Sequence, residues 1–104
     1  MTYNITDHLV TVGSGAKQAY LNAKEISSSW KMQYNKSAEL LNTKKYIIVD
    51  KTVYASVDDA LNNINYSKLT DFGFTEKIAA CYILTDNRYL FISFEKDTSI
   101  HALL

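Results

Sequence analysis

Residues 78–95 read IAACYILTDNRYLFISFE: two apolar runs on either side of Asp86-Asn87. Both turn residues tolerate positive φ, so the pair suits the two-residue loop of a type I′ turn. The stretch therefore predicts a β-hairpin with two unlike faces. On one face Thr85 stands opposite Arg88, Ile83 opposite Leu90, Cys81 opposite Ile92 and Ala79 opposite Phe94. On the other, Leu84 stands opposite Tyr89, Tyr82 opposite Phe91 and Ala80 opposite Ser93, with Glu95 beyond them. The first is an ordinary core face. The second is aromatic yet tipped with hydroxyls, which suits either a wet contact surface or the underside of a covering element.

The flanking segments supply the partners for such a hairpin. After it, Ile100, Leu103 and Leu104 in the tail Asp97 to Leu104 suit one docked helical turn. Before it, Ser67 to Thr75, with Phe72-Gly73-Phe74, reads as a loop or a brief extended piece. Ser56-Val57-Asp58-Asp59 forms a capping box, with the Ser56 side chain at the N-cap and two carboxylates near the positive end of the helix. Val57, Ala60, Leu61 and Ile64 then give the buried face of a short helix ending near Asn65 or Tyr66. Lys45 to Ala55, KYIIVDKTVYA, reads as two short strands about a turn at Asp50-Lys51.

Further back, Ala16, Ala19, Tyr20, Ala23, Ile26, Trp30, Tyr34, Ala38 and Leu41 recur at three- and four-residue spacings. This is the apolar stripe of one long helix. Ser14 is its N-cap candidate, Asn42-Thr43 its stop, and Ser27 to Ser29 a weak point where propensity falls. His8 to Val12 reads as an edge strand ending at Gly13-Ser14-Gly15. A rival reading runs the helix back through Leu9 and Val12 as heptads, placing Gly13 and Gly15 inside it at a cost of ~1 kcal/mol each.

The predicted fold is α+β. One long and one short helix pack on an antiparallel sheet in the order β-α-ββ-α-ββ, with a ferredoxin-like split β-α-β favoured. The alternative is α-ββ-α-ββ with a longer N-terminal helix. The 104 residues suit a single domain, 1–104, with one core. A hydrophobic content of 47% with 21% charged residues is globular composition. No apolar run approaches the ~20 residues that span a bilayer. The N-terminus lacks the basic and long apolar regions of a secretory signal, and Cys81 is the only cysteine. The expectation is a cytoplasmic, reducing location.

His8, His101 and Cys81 show none of the spacings of a metal or catalytic motif, and Cys81 falls on the core face. Asp58 and Asp59 are neighbours that point roughly 100° apart on a helix, so capping accounts for them. Gly13-Ser14-Gly15 lacks the rest of a phosphate-binding loop. Trp30 and Tyr34 lie on the inward stripe, and the lysines around Glu25 and Glu39 read as solvated surface. No catalytic, cofactor or metal residues are expected.

What remains is the second hairpin face: Tyr82, Leu84, Tyr89, Phe91, Ser93 and Glu95. Eleven basic and eleven acidic residues cancel, which disfavours a duplex-DNA binder and a DNA mimic alike. Tyrosine and phenylalanine supply much of the energy of protein contacts, where neutral charge is no obstacle. The sequence therefore suggests a small non-enzymatic binding or regulatory protein whose partner is another protein or a second copy in a homodimer. Ten of the eleven basic residues are lysine and Asn, Ile and Tyr are plentiful, the bias of AT-rich coding sequence. An inhibitor, immunity or adaptor protein of a phage or mobile element fits that bias. The alternative is a single-stranded nucleic-acid module stacking bases on the same face.

Overall fold

A computed structural model describes residues 3–34, 39–75 and 77–96. In chain order these form β1 (Tyr3–Val12), α1 (Ala16–Tyr34), a 3-10 turn (Glu39–Asn42), β2 (Lys45–Tyr54), α2 (Val57–Asn62), α3 (Tyr66–Phe72), β3 (Ile78–Leu84) and β4 (Arg88–Lys96). The four strands make one sheet in the order β1-β4-β3-β2. β1 and β3 flank β4 antiparallel, whereas β2 runs parallel to β3. The chain is thus α+β with a mixed sheet, where a wholly antiparallel one was expected. Its first strand lies on the sheet edge, so the strand order is not that of the ferredoxin-like split β-α-β.

The hairpin turn forms as expected, but its register does not. Asp86 and Asn87 take φ of 63° and 57°, and the Arg88 N–H donates to the Thr85 carbonyl at 3.4 Å. Beyond the turn, Ile83 stands opposite Tyr89, Tyr82 opposite Leu90, Cys81 opposite Phe91 and Ala80 opposite Ile92. One extra residue is therefore taken up on the β3 side, a bulge in which Leu84 and Thr85 share Arg88. The cause lies across the sheet. The Thr85 N–H donates to the Tyr54 carbonyl of β2 at 3.0 Å, and the Arg88 guanidinium donates to the Ala55 and Thr85 carbonyls at 3.1 and 3.0 Å. Thr85 is thereby drawn towards β2 and away from β4.

Because both hairpin strands are central, both of their faces are buried. Ala80, Tyr82, Leu84, Leu90, Ile92 and Phe94 join Val49, Ala60, Leu69 and Phe74 in one core beneath α2 and α3. Ala79, Cys81 and Phe91 join Ala19, Tyr20, Ala23 and Leu40 in a second core beneath α1 and the 3-10 turn. Helices thus cover both sides of the sheet and are not grouped on one. Each large apolar side chain so buried contributes about 1.5–3 kcal/mol.

Several local boundaries also differ from expectation. β2 is one strand through Asp50-Lys51, with register irregularities between Ile48 and Asp50 and between Asp50 and Val53, and not two strands about a turn. Pairing with β3 on both sides of these irregularities holds it extended. The segment from Tyr66 is helix α3: the Asn65 side chain accepts from the Lys68 N–H. Gly73, at φ 71°, ends the helix, with its N–H on the Thr70 carbonyl and the Phe74 N–H on Leu69. That is a Schellman motif, and Phe74 packs in the same core as Leu69. α2 begins as expected, the Ser56 Oγ accepting from the Asp59 N–H at 3.2 Å, and ends at Asn62.

β1 runs from Tyr3 and is a strand, so the rival N-terminal helix does not form. α1 continues unbroken through Ser27–Ser29 and its bounds end at Tyr34. Its buried stripe takes in Ala19, Tyr20, Ala23 and Ser27, leaving Ile26 on the surface. The Gly15 carbonyl accepts the first helical bond, from Ala19. Gly13 is required by a close approach, since a Cβ there would lie 2.6 Å from the Ala19 nitrogen. The tail Asp97 to Leu104, Ala38, and the side chains of Trp30, Tyr34 and Leu41 lie outside the described residues.

Candidate functional site

The six residues expected to form one contact face are divided between two. Tyr82 and Leu84 are buried under α2 and α3, while Phe91 is buried under α1. The Phe91 ring lies 5.5 Å from that of Tyr20 and 6.0 Å, edge-on, from that of Tyr46. Ser93 is buried too, its Oγ 2.8 Å from Thr6 Oγ1 of β1. Tyr89 is half-buried and Glu95 exposed. The one-residue bulge at Thr85 is what separates Tyr82 from Phe91, and the chain's own helices cover both faces.

The other singled-out residues are scattered. His8 is exposed on β1, and Cys81 is fully buried on β3 with burial pushing its thiol up to about 12. Such a thiol stays protonated and unreactive. His101 lies outside the described residues. No group of three or more His, Cys, Asp or Glu side chains suited to a metal ion lies among the described residues. Among them, too, no helix is long and apolar enough to cross a membrane.

A concave surface lies elsewhere, along the outer edge of β1. A groove of about 550 Å³ runs between Val10, Thr11 and Val12 on one side and Asn22, Glu25, Ile26 and Ser29 of α1 on the other. Val12 is 59% exposed and Ile26 36%, so its walls present apolar surface to solvent. The walls are held at a fixed separation. Thr11 Oγ1 donates to the Ala19 carbonyl at 2.7 Å, and Asn22 Nδ2 donates to the Val12 carbonyl at 2.8 Å. Gln18 in turn braces the Asn22 amide oxygen at 3.1 Å.

Asn22 also shows which way the edge faces. Its bond reaches the Val12 carbonyl on the side of β1 away from β4. In an antiparallel strand the backbone groups of alternate residues share a side. The N–H and C=O of Val10 and His8 therefore also face outward, along the groove. Pairing with β4 is regular from Asp7 to Val12, and Tyr3–Val12 contains neither lysine nor proline. The opposite sheet edge is different: β2 carries Lys45, Lys51 and two irregularities, the features that blunt an edge against further pairing. Among the described residues the β2 edge is blunted, while no further strand lies beside the β1 edge, which borders an apolar helix wall.

None of the groove residues was singled out as a contact from sequence. The helical spacing places Ile26 on the inward stripe, whereas the structure leaves it on the surface; the sequence signal for the rest is the run without lysine or proline from Tyr3 to Val12. Comparison with protein-family models, with curated proteins and with solved structures gives no match to this chain.

Proposed function

We propose that this is a small, non-enzymatic binding protein that works through a protein–protein interface, and that the interface is the β1 edge with its α1 wall. The partner supplies an extended segment that adds to β1 as a fifth strand and lays alternate side chains against Ile26 and Val12. The observation that carries this reading is the regular edge from Asp7 to Val12, which among the described residues has no strand beside it and only the Asn22 bond on the Val12 carbonyl, next to a groove with exposed Val12 and Ile26. In strand addition, main-chain hydrogen bonds give affinity and the flanking wall gives specificity. An inhibitor, immunity or adaptor role suits a module of this size and neutral charge, and a single buried cysteine suits a reducing, cytoplasmic setting. Stacking of single-stranded nucleic acid on the hairpin has less support, because Tyr82 and Phe91 sit on opposite faces, both buried.

The test is affinity capture by the wild-type chain and by Ile26→Glu, with Val53→Glu on the protected edge as control (Val53 is 55% exposed). Loss of the captured partner with Ile26→Glu and retention with Val53→Glu supports the reading. Equal capture by all three, or capture of no protein by the wild type, counts against it.

A further inference from the structure

The outer side of β1 is suited to pair with a copy of itself. The N–H and C=O groups of His8, Val10 and Val12 face away from β4, and among the described residues no strand lies beside them. In an antiparallel pair, opposed residues share a face of the sheet. A two-fold axis through such a pair therefore falls on a residue and not between two. With the axis at Val10, that residue stands opposite its own copy, and exposed Val12 stands opposite the second copy's His8. The ladder His8 to Val12 lies where β1 pairs regularly with β4, clear of the irregularity between Ile5 and Asp7. Its sequence, HLVTV, holds no carboxylate, lysine or arginine, so no like charges of those groups stand opposed. The Val12 carbonyl, already bonded to Asn22, keeps a second lone pair for an incoming N–H.

The position of α1 favours a second copy over a bare peptide strand. α1 lies over both β1 and β4: its Ala19 carbonyl accepts from Thr11 of β1, and its Tyr20 ring stands 5.5 Å from that of Phe91 on β4. Its axis is thus about half a strand spacing inward of β1, where strands lie ~4.8 Å apart. Two copies joined edge to edge then hold their α1 helices about 10 Å apart on one face of the sheet, close to the 8–10 Å at which helices pack. Ile26, exposed on the groove wall, gains from the second helix an apolar cover that one added strand cannot match. Such an assembly also stops at two copies. Its remaining edges are both β2, which lysines and irregularities blunt against further pairing.

We propose that the occupant of the β1 edge is a second copy of this chain, paired antiparallel through β1 about a two-fold axis at Val10. The two four-stranded sheets become one continuous sheet, with the two α1 helices side by side. This rests on the β1-edge reading above and names the partner.

The experiment measures the mass of the full chain by light scattering over a dilution series, with amide hydrogen exchange at the two ends of the series. The wild-type mass is expected to rise from one chain towards two with concentration, and Val53→Glu, on the blunted edge, to do the same. Ile26→Glu should stay a single chain, because it sets two carboxylates at the helix contact. The amides of His8, Val10 and Val12 should exchange at least about tenfold more slowly in the dimer than in the monomer. A mass of one chain up to millimolar concentration overturns the self-pairing. So does a dimer that persists with Ile26→Glu, or one whose His8, Val10 and Val12 amides exchange as fast as in the monomer. The edge reading beneath it fails separately, when capture of a foreign partner is also untouched by Ile26→Glu.

Discussion

Thr11 of the edge strand donates a 2.7 Å hydrogen bond from its Oγ1 to the carbonyl of Ala19, and both residues are buried. The bond clamps β1 to the first turns of α1 across the Gly13–Gly15 turn. It also sets the width of the groove, because the next turn of α1 brings Asn22 onto the Val12 carbonyl. One short contact thus joins the fold of the N-terminal third to the surface proposed to bind.

Thr11→Val removes the donor while keeping the shape, and it is expected to cost about 1 kcal/mol. Gly13→Ala is expected to cost more, ~2–3 kcal/mol, because its Cβ would press on helix backbone at 2.6 Å from the Ala19 nitrogen. Urea denaturation checks both, and the account requires Gly13→Ala to be the more damaging of the two.

Phe91 and Tyr89 separate core from surface on β4. Phe91→Ala removes a fully buried ring between Tyr20 and Tyr46 and should cost ~3–5 kcal/mol. Tyr89, half-buried, should cost about 1–2 kcal/mol as alanine. Comparable losses from the two would contradict the burial of Phe91 under α1.

Gly73 holds a left-handed conformation at φ 71° with open space around it. Gly73→Ala is therefore expected to destabilise through backbone strain alone, by ~1–2 kcal/mol. Gly73→Asn should recover part of that loss, as asparagine tolerates this region. Equal unfolding midpoints for glycine and alanine would contradict the Schellman ending of α3.

Alkaline pH should weaken the fold. Burial pushes the Cys81 thiol up to about 12 from 9.0 and the Tyr82 phenol up to about 12 from 10.0. Above pH 9.0 the unfolded chain releases the Cys81 proton while the folded chain keeps it. Stability is thus fully present below the unfolded value and falls as pH rises towards about 12, at up to ~1.4 kcal/mol per pH unit for each group. The urea midpoint should drop between pH 9 and 11, more shallowly in Cys81→Ala. Thiol reagents should label Cys81 only when the chain unfolds, and rapid labelling in native buffer would contradict its burial.

Much of the fold was legible where a local rule acts alone. Asp86-Asn87 declared the turn and Ser56 the start of α2, because a turn's φ and a helix cap depend on adjacent residues only. The alternation over Ala79–Leu84 and Leu90–Phe94 was not enough to fix register, since the bulge is made by bonds from Thr85 to Tyr54 and from Arg88 to Ala55, at and just past the end of β2 and some thirty positions earlier in the chain. A stronger signal for two-sided burial was present in these near-continuous apolar runs, which are typical of central strands. α3 was hidden because Thr70, Asp71 and Phe72 are poor helix formers and its stop at Gly73 resembled a loop. The groove was illegible for a different reason: an open edge is a property of strand order, which no single segment encodes.

The central claim is that partners bind along β1 and α1, and site-specific photo-crosslinking tests it most directly. A photoreactive amino acid is placed at position 26, on the groove wall, and separately at position 53, on the blunted edge, in the cells that carry this protein. The account expects a partner adduct from position 26, mapping to an extended segment of that partner, and none from position 53. An adduct from position 53 with none from position 26 would contradict it.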